Sequence, residues 1–182
     1  PVARQQETAA MTPVERLAAK ADGKQWELVE NQRGITYYKL FGPYLAGAKK
    51  IVVEDAYVRK PYQLRNLAEF LEMLLRCKNS DEDVAVHLVT GHNDPEFVEA
   101  QLNGLNELAS TFSQLGVNLT YEFRDTLHDR SITSDTGWEI LPGRGLDIFQ
   151  KIVDGDWLNP LLRHQQLRRV KECKVTYRRI ER

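Results

Sequence analysis

Residues 61–78 read PYQLRNLAEFLEMLLRCK, and residues 84–89 read VAVHLV. In the first stretch Leu64, Leu67, Ala68, Leu71, Leu74 and Leu75 fall on one helical face, with Arg65, Glu69, Glu72 and Arg76 opposite, so the spacing predicts an amphipathic helix opened by Pro61. The second stretch is almost continuously apolar, as expected of a strand in a sheet covered on both faces. Upstream, Ile51-Val52-Val53 is a short β-branched strand that stops at Glu54-Asp55. Downstream, Asp94-Pro95 starts a second long helix to about Leu115, with Val98, Leu102, Leu105, Ala109 and Phe112 on its buried side and Gly116 as its cap. Val117, Leu119, Tyr121 and Phe123 then alternate along a half-buried strand. The order strand, helix, strand, helix, strand demands parallel neighbours and right-handed crossovers. The predicted fold is α/β, a three-layer α/β/α arrangement around a mixed, mainly parallel sheet.

Outside this centre the signals are shorter. Thr12-Pro13-Val14-Glu15 has the pattern of a capping box and opens a short helix, closed by Asp22-Gly23. Gly34 to Tyr38 reads as a short strand. Ser131 to Thr133 and Trp138 to Leu141 read as two more, around a turn at Ser134 to Gly137. Leu146 to Val153 suggests a short helix, and Lys174 to Ile180 a last strand. Residues 1–22 are expected to be a linker and short N-terminal helix of a larger protein, and residues 23–182 the domain itself.

The 182 residues suffice for one domain with a real core. Net charge is −1, so any affinity for nucleic acid or an acidic membrane has to come from a local patch. Cys77 and Cys173 have neither metal-ligand spacing nor a readable disulfide framework, and two reduced thiols fit a cytoplasmic protein. No metal or cofactor motif is present, and no run reaches the ~18 apolar residues of a membrane helix.

The residues able to carry chemistry cluster after the last parallel strand. His128-Asp129-Arg130 follows a strand end, where open α/β sheets place their ligand crevice, and Asp135 lies five residues beyond Arg130. An imidazole can hold or attack a phosphate, a guanidinium neutralises its charge, and a carboxylate orients the imidazole. Asp135, within Ser-Asp-Thr-Gly, equally suits a turn. Arg144 stands between Gly143 and Gly145, which permit close backbone approach, and a buried arginine there would need Asp147 or Asp55 as partner. Asp55 and Arg59 flank a strand-to-helix turn, as an ion pair or as ligand contacts. His87 reads as a satisfied core histidine. Arg168, Arg169, Lys171, Lys174, Arg178 and Arg179 form either a solvated face or a basic patch for a nucleic-acid backbone.

His128-x-Arg130-x4-Asp135 resembles the H-x-K-x4-D signature of the phospholipase D superfamily, with arginine for lysine, Leu141-Pro142-Gly143-Arg144 where Gly-Ser is usual, and one copy where the chemistry needs two. Over residues 35–177 the chain is more similar to the phospholipase D-like C-terminal domain of MIT-domain proteins. That resemblance rests on Glu54-Asp55-Ala56-Tyr57-Val58-Arg59, with Ala56 for the usual proline, and on Gln63-Leu64-x-Asn66-Leu67 and Val86-His87-Leu88-Val89-Thr90. It continues through Ile132, Gly137-Trp138 and Gly143-Arg144-Gly145-Leu146-Asp147-Ile148-Phe149. It implies a non-catalytic phospholipase D-like module that forms homodimers and binds a phosphate-bearing ligand, lipid or nucleic acid, or an acidic protein partner. Such a protein would be cytoplasmic or peripheral to a membrane, and attached to neighbouring domains. Two alternatives stand beside it. One is a dimeric phosphodiesterase or nuclease using His128 from each copy. The other is a docking domain of a Lon-related AAA ATPase of BREX-type phage defence.

Overall fold

The computed structural model describes residues 10–152 and 158–181. Its elements run α1 (Pro13–Ala18), β1 (Trp26–Leu28), α2 (Tyr37–Leu40), α3 (Gly42–Leu45), β2 (Lys50–Asp55), α4 (Pro61–Cys77), β3 (Val84–Thr90), α5 (Val98–Ser113), β4 (Val117–Phe123), β5 (Arg130–Ser134), β6 (Trp138–Pro142) and β7 (Cys173–Arg179). The strands form one sheet in the order β1-β7-β6-β5-β2-β3-β4.

The central reading survives in detail. β2, β3 and β4 are parallel neighbours joined through α4 and α5, and Ile51, Val53, Val86, Leu88, Val117 and Leu119 bury their side chains under those helices. On α4 the buried stripe is Leu67, Phe70, Leu71, Leu74 and Cys77, while Leu64 and Leu75 turn toward α5. α5 reaches α4 closely because Gly104 has no Cβ: one there would lie 2.7 Å from Leu64 Cδ1. Gly116, at φ +79°, ends the α5 segment as expected. α1 carries the capping box, with Thr12 Oγ1 accepting from Glu15 N and Glu15 Oε2 from Thr12 N, and it inserts Leu17 into the core.

Five expectations are corrected. The sheet is mixed but not mainly parallel: β5, β6, β7 and β1 all pair antiparallel, including β5 against β2. It is also not covered on both faces by this chain. Lys50, Val52, Ala85, Asn118, Thr120, Lys174 and Arg178 are exposed on the face opposite the core, so the third layer is missing among the described residues. His87 lies on that face and is no core histidine. Its side chain is 38% exposed, with Nδ1 2.8 Å from Thr120 Oγ1 and Nε2 3.5 Å from Glu122.

Residues 34–38 do not form a strand. Thr36 caps α2 by accepting from Lys39 N, and the helix turns Tyr37 and Phe41 into an aromatic cluster with Phe70 and Phe149. Nor do residues 146–152 form a helix; Val153 lies outside the described residues. Their backbone groups have other partners: Leu146 N donates to Asp55, Tyr37 Oη to Leu146 O, Gln150 N to Arg169 O, and Lys171 N to Ile148 O. β1 had no signal beyond three residues, and exists because β7 pairs with it.

Candidate functional site

The site is built on Asp55, the last residue of β2. Its side chain is 4% exposed, and its carboxylate accepts from Tyr57 N and from Leu146 N, both at 3.0 Å. The first bond turns the chain out of the strand and presents Tyr57 to solvent; the second draws in the 143–146 loop. Gly145 allows this approach: at φ +61° a Cβ would sit 2.0 Å from Asp55 Oδ2. Burial pushes the Asp55 carboxyl up from its ordinary value, and the two amides and Arg130 oppose that rise.

Arg130 starts β5, directly across from Asp55 in the antiparallel pair. Its Nε is 4.0 Å from Asp55 Oδ1, its Nη1 is 3.5 Å from Gly143 O, and its Cζ lies 4.7 Å from the centre of the Tyr57 ring. Arg59 approaches the same ring, with Cζ at 5.3 Å, while its Nε donates to Ala56 O at 2.7 Å. Gly91 makes room for that guanidinium, since a Cβ there would be 2.4 Å from the nearer Nη. Two cations therefore meet at one exposed aromatic ring. Beside them Tyr57, His128, Asp129, Arg130, Leu141, Pro142 and Gly143 line an open crevice of about 390 Å³.

The sequence-derived candidates separate. His128, Arg130, Asp55 and Arg59 come together around Tyr57. The expected Asp55–Arg59 ion pair is replaced by Asp55–Arg130. Asp135 sits at the other end of β5, where its Oδ1 accepts from Lys49 N at 3.0 Å, so it orients no imidazole. Arg144 is exposed rather than buried and needs no acidic partner: its Nε donates to Glu172 O at 3.1 Å. Asp147 instead pairs with Lys171 at 3.1 Å.

The basic C-terminal run is dispersed as well. Arg168 is buried and grips Glu69 with both Nη atoms, at 2.7 and 2.5 Å. Lys174 pairs with Glu27 at 3.9 Å, Arg178 with Glu139, and Arg179 lies over the Trp138 ring. Arg169 remains exposed. Strand alternation sends these cations to opposite faces, and most meet a carboxylate or a ring.

Two neighbours escaped the sequence reading. Tyr57 lies inside the quoted 54–59 block, but an exposed tyrosine has no signal of its own. His92 stacks on Phe123 with centroids 4.1 Å apart, and its Nδ1 is 3.0 Å from Asp125 Oδ2. The His92 backbone and ring hold the Asp125 carboxyl below its usual range, and Arg59 adds to that effect. Only the fold brings residues 92 and 125 together, at the ends of neighbouring strands β3 and β4. Among the described residues no three His, Cys, Asp or Glu converge as metal ligands, and no helix is long and apolar enough to cross a membrane.

The family model for the phospholipase D-like domain at the C-terminus of MIT matches residues 34–179. The mouse protein MIT domain-containing protein 1 is 36% identical over 138 residues, covering 72% of this chain. The aligned part is 54% of that relative, so the chain spans about half the length of the curated protein it matches. From the Asp55 turn to the 143–149 loop, the chain belongs to the family of phospholipase D-like domains found at the C-terminus of MIT-domain proteins.

Proposed function

We propose that this domain is a non-catalytic interaction module whose crevice receives a phosphate group. The observation that carries the reading is the pair of guanidinium groups, Arg59 and Arg130, both held over the exposed Tyr57 ring, at 5.3 and 4.7 Å from its centre. Arg130 is only loosely engaged by Asp55 at 4.0 Å, which leaves N–H donors for an incoming oxyanion. The ring holds the two cations, and their bonds to Ala56 O and Gly143 O fix their direction. The Asp55 charge faces Arg130 from the buried side, where it holds the cation without filling the crevice.

Catalysis of the phospholipase D type fits less well. It requires an imidazole oriented by a carboxylate and a second imidazole opposite. No hydrogen bond to a carboxylate orients His128 among the described residues, and Asp135 is tied to Lys49 at the far end of β5. A phosphodiesterase could arise only from two copies that oppose their exposed His128 rings. Homodimerisation and attachment to neighbouring domains belong to the same proposal, and the uncovered sheet face leaves space for a second copy.

The test is co-sedimentation with phosphatidylcholine vesicles containing or lacking a phosphoinositide, alongside titration with duplex DNA. Arg130→Ala and Arg59→Ala should each weaken binding about tenfold, the size of one lost charge-assisted bond. Equal binding by wild type and both variants on every probe would sink the crevice. Metal-free phosphodiester hydrolysis abolished by His128→Ala would replace this reading with the enzymatic one.

A further inference from the structure

A second, unrelated cleft lies on the helical side, between α4 and the segment 162–166, with a volume of about 590 Å³. Arg65, Glu69, Glu72 and Arg76 of α4 line one wall, and Arg163 and His164 the other. The charges do not balance within it. Glu69 is fully used: Arg168 binds both its oxygens and Gln165 Nε2 donates to Oε2 at 2.9 Å. Arg76 lies over the Tyr38 ring at 4.0 Å, a contact that occupies the face of its guanidinium and leaves the N–H edge free. Arg65 Nε is buried without a hydrogen-bond partner, the single such side-chain atom among the described residues. A buried unpaired donor of this kind is costly, and in native proteins it marks a missing partner.

Arg65, Arg76 and Arg163 thus bring three cations to the cleft against one carboxylate, Glu72, that no cation engages through an ion pair. Glu72 stands on the α4 wall of the cleft, where its carboxylate oxygens can accept from a hydroxyl. We propose that this cleft binds a small soluble dianion that also carries hydroxyl groups, of the phosphate-monoester class, with its oxyanion against Arg65, Arg76 and Arg163 and a hydroxyl against Glu72. The volume is that of an ordinary small-ligand pocket. The tethering of segment 162–166 is what holds the second wall in place. Arg168 binds Leu162 O at 2.9 Å, and the Gln165 side chain accepts from Tyr37 N at 2.8 Å.

The experiment is calorimetric titration of the whole chain with glycerol 2-phosphate at constant ionic strength, with glycerol and orthophosphate as separate arms. In the Arg130→Ala background, which removes the crevice, one site per chain is expected, with glycerol 2-phosphate binding more tightly than orthophosphate and glycerol not binding at all. Arg65→Leu should weaken binding at least about tenfold, the loss expected of one charged donor, and without ligand it should melt no lower than wild type, because it removes the unpaired N–H. Arg76→Gln, at an exposed position, should weaken binding similarly without unfolding the chain. Arg130→Ala should remove only binding at the crevice and keep the site that depends on Arg65 and Arg76, which separates the cleft from the crevice. The proposal fails if no saturable binding occurs up to about 10 mM, an affinity too weak to be specific. It fails equally if Arg65→Leu and Arg76→Gln bind like wild type, or if Arg130→Ala alone abolishes binding.

Discussion

Arg168 and Arg130 are built from the same ingredients and reach opposite ends. Each guanidinium faces an aspartate or glutamate and an aromatic ring: Glu69 and Phe149 for Arg168, Asp55 and Tyr57 for Arg130. The Arg168 side chain is 3% exposed, with bidentate bonds to its carboxylate and further bonds to two backbone carbonyls, so that all three guanidinium nitrogens are engaged. The Arg130 side chain is 26% exposed, stands 4.0 Å from its carboxylate and holds one carbonyl at 3.5 Å. The closed arrangement engages every guanidinium nitrogen in the fold and ties the 161–168 segment to α4. The open one keeps donors free, because Asp55 gives its oxygens to the Tyr57 and Leu146 amides instead. What decides between structure and binding is therefore where the carboxylate's lone pairs go, not which residues are present.

The contrast can be broken at four points. Arg168→Ala should have the largest effect. It leaves Glu69 buried beside Tyr37 without its cation, and urea unfolding should show a loss of about 3–5 kcal/mol; a loss under about 1 kcal/mol would make the two arginines equivalent. Gly145→Ala should follow, at about 2–3 kcal/mol, because its Cβ displaces the Asp55 carboxylate from a left-handed position. Thermal melts should show that loss, together with weaker phosphate binding as Arg130 loses its anchor. Arg130→Ala should cost less, about 1 kcal/mol, because Arg130 stands 4.0 Å from Asp55 and the Tyr57 and Leu146 amides still satisfy that carboxylate, while weakening binding as described above.

The smallest effects lie in pH dependence. The raised Asp55 carboxyl destabilises the fold once ionised, so this contribution is absent below the unfolded value near 4 and grows as pH rises through the folded one. Asp125 acts in the opposite sense: its lowered carboxyl gives stability present above the unfolded value and lost as pH falls through the folded one. Asp55→Asn should therefore remove the decline with rising pH, and Asp125→Asn should flatten the acid limb, in melting temperatures recorded between pH 3 and pH 7. If both variants keep the wild-type profile, neither carboxyl is perturbed by the fold.

Local signals carried the parallel half of the sheet. The α4 stripe, the capping box at Thr12 and the alternation of β4 are repeats within one element, so composition and period suffice to read them. Where the reading missed, long-range partners had overruled short windows. Residues 34–38 formed no strand, and a helix begins at Tyr37, because Tyr37 and Phe41 join Phe70 and Phe149, and residues 146–152 stayed irregular because their backbone bonds run to Asp55, Tyr37 and the 169–171 segment. His87 looked buried because its strand neighbours are apolar, but the face it occupies has no covering layer among the described residues.

By itself the sequence determined the α/β class, the β2–α4–β3–α5–β4 succession and the family, since these rest on periodicity and on short blocks of residues. Only the tertiary structure decided that Asp135 stands away from His128, that Arg168 is spent in the interior, and that Arg59 and Arg130 meet at the Tyr57 ring. It also decided the Arg65 cleft, whose walls are nearly a hundred residues apart in the chain. The physical reason is that a charge's role depends on its solvation and its partner, and both are fixed by which distant segments pack together.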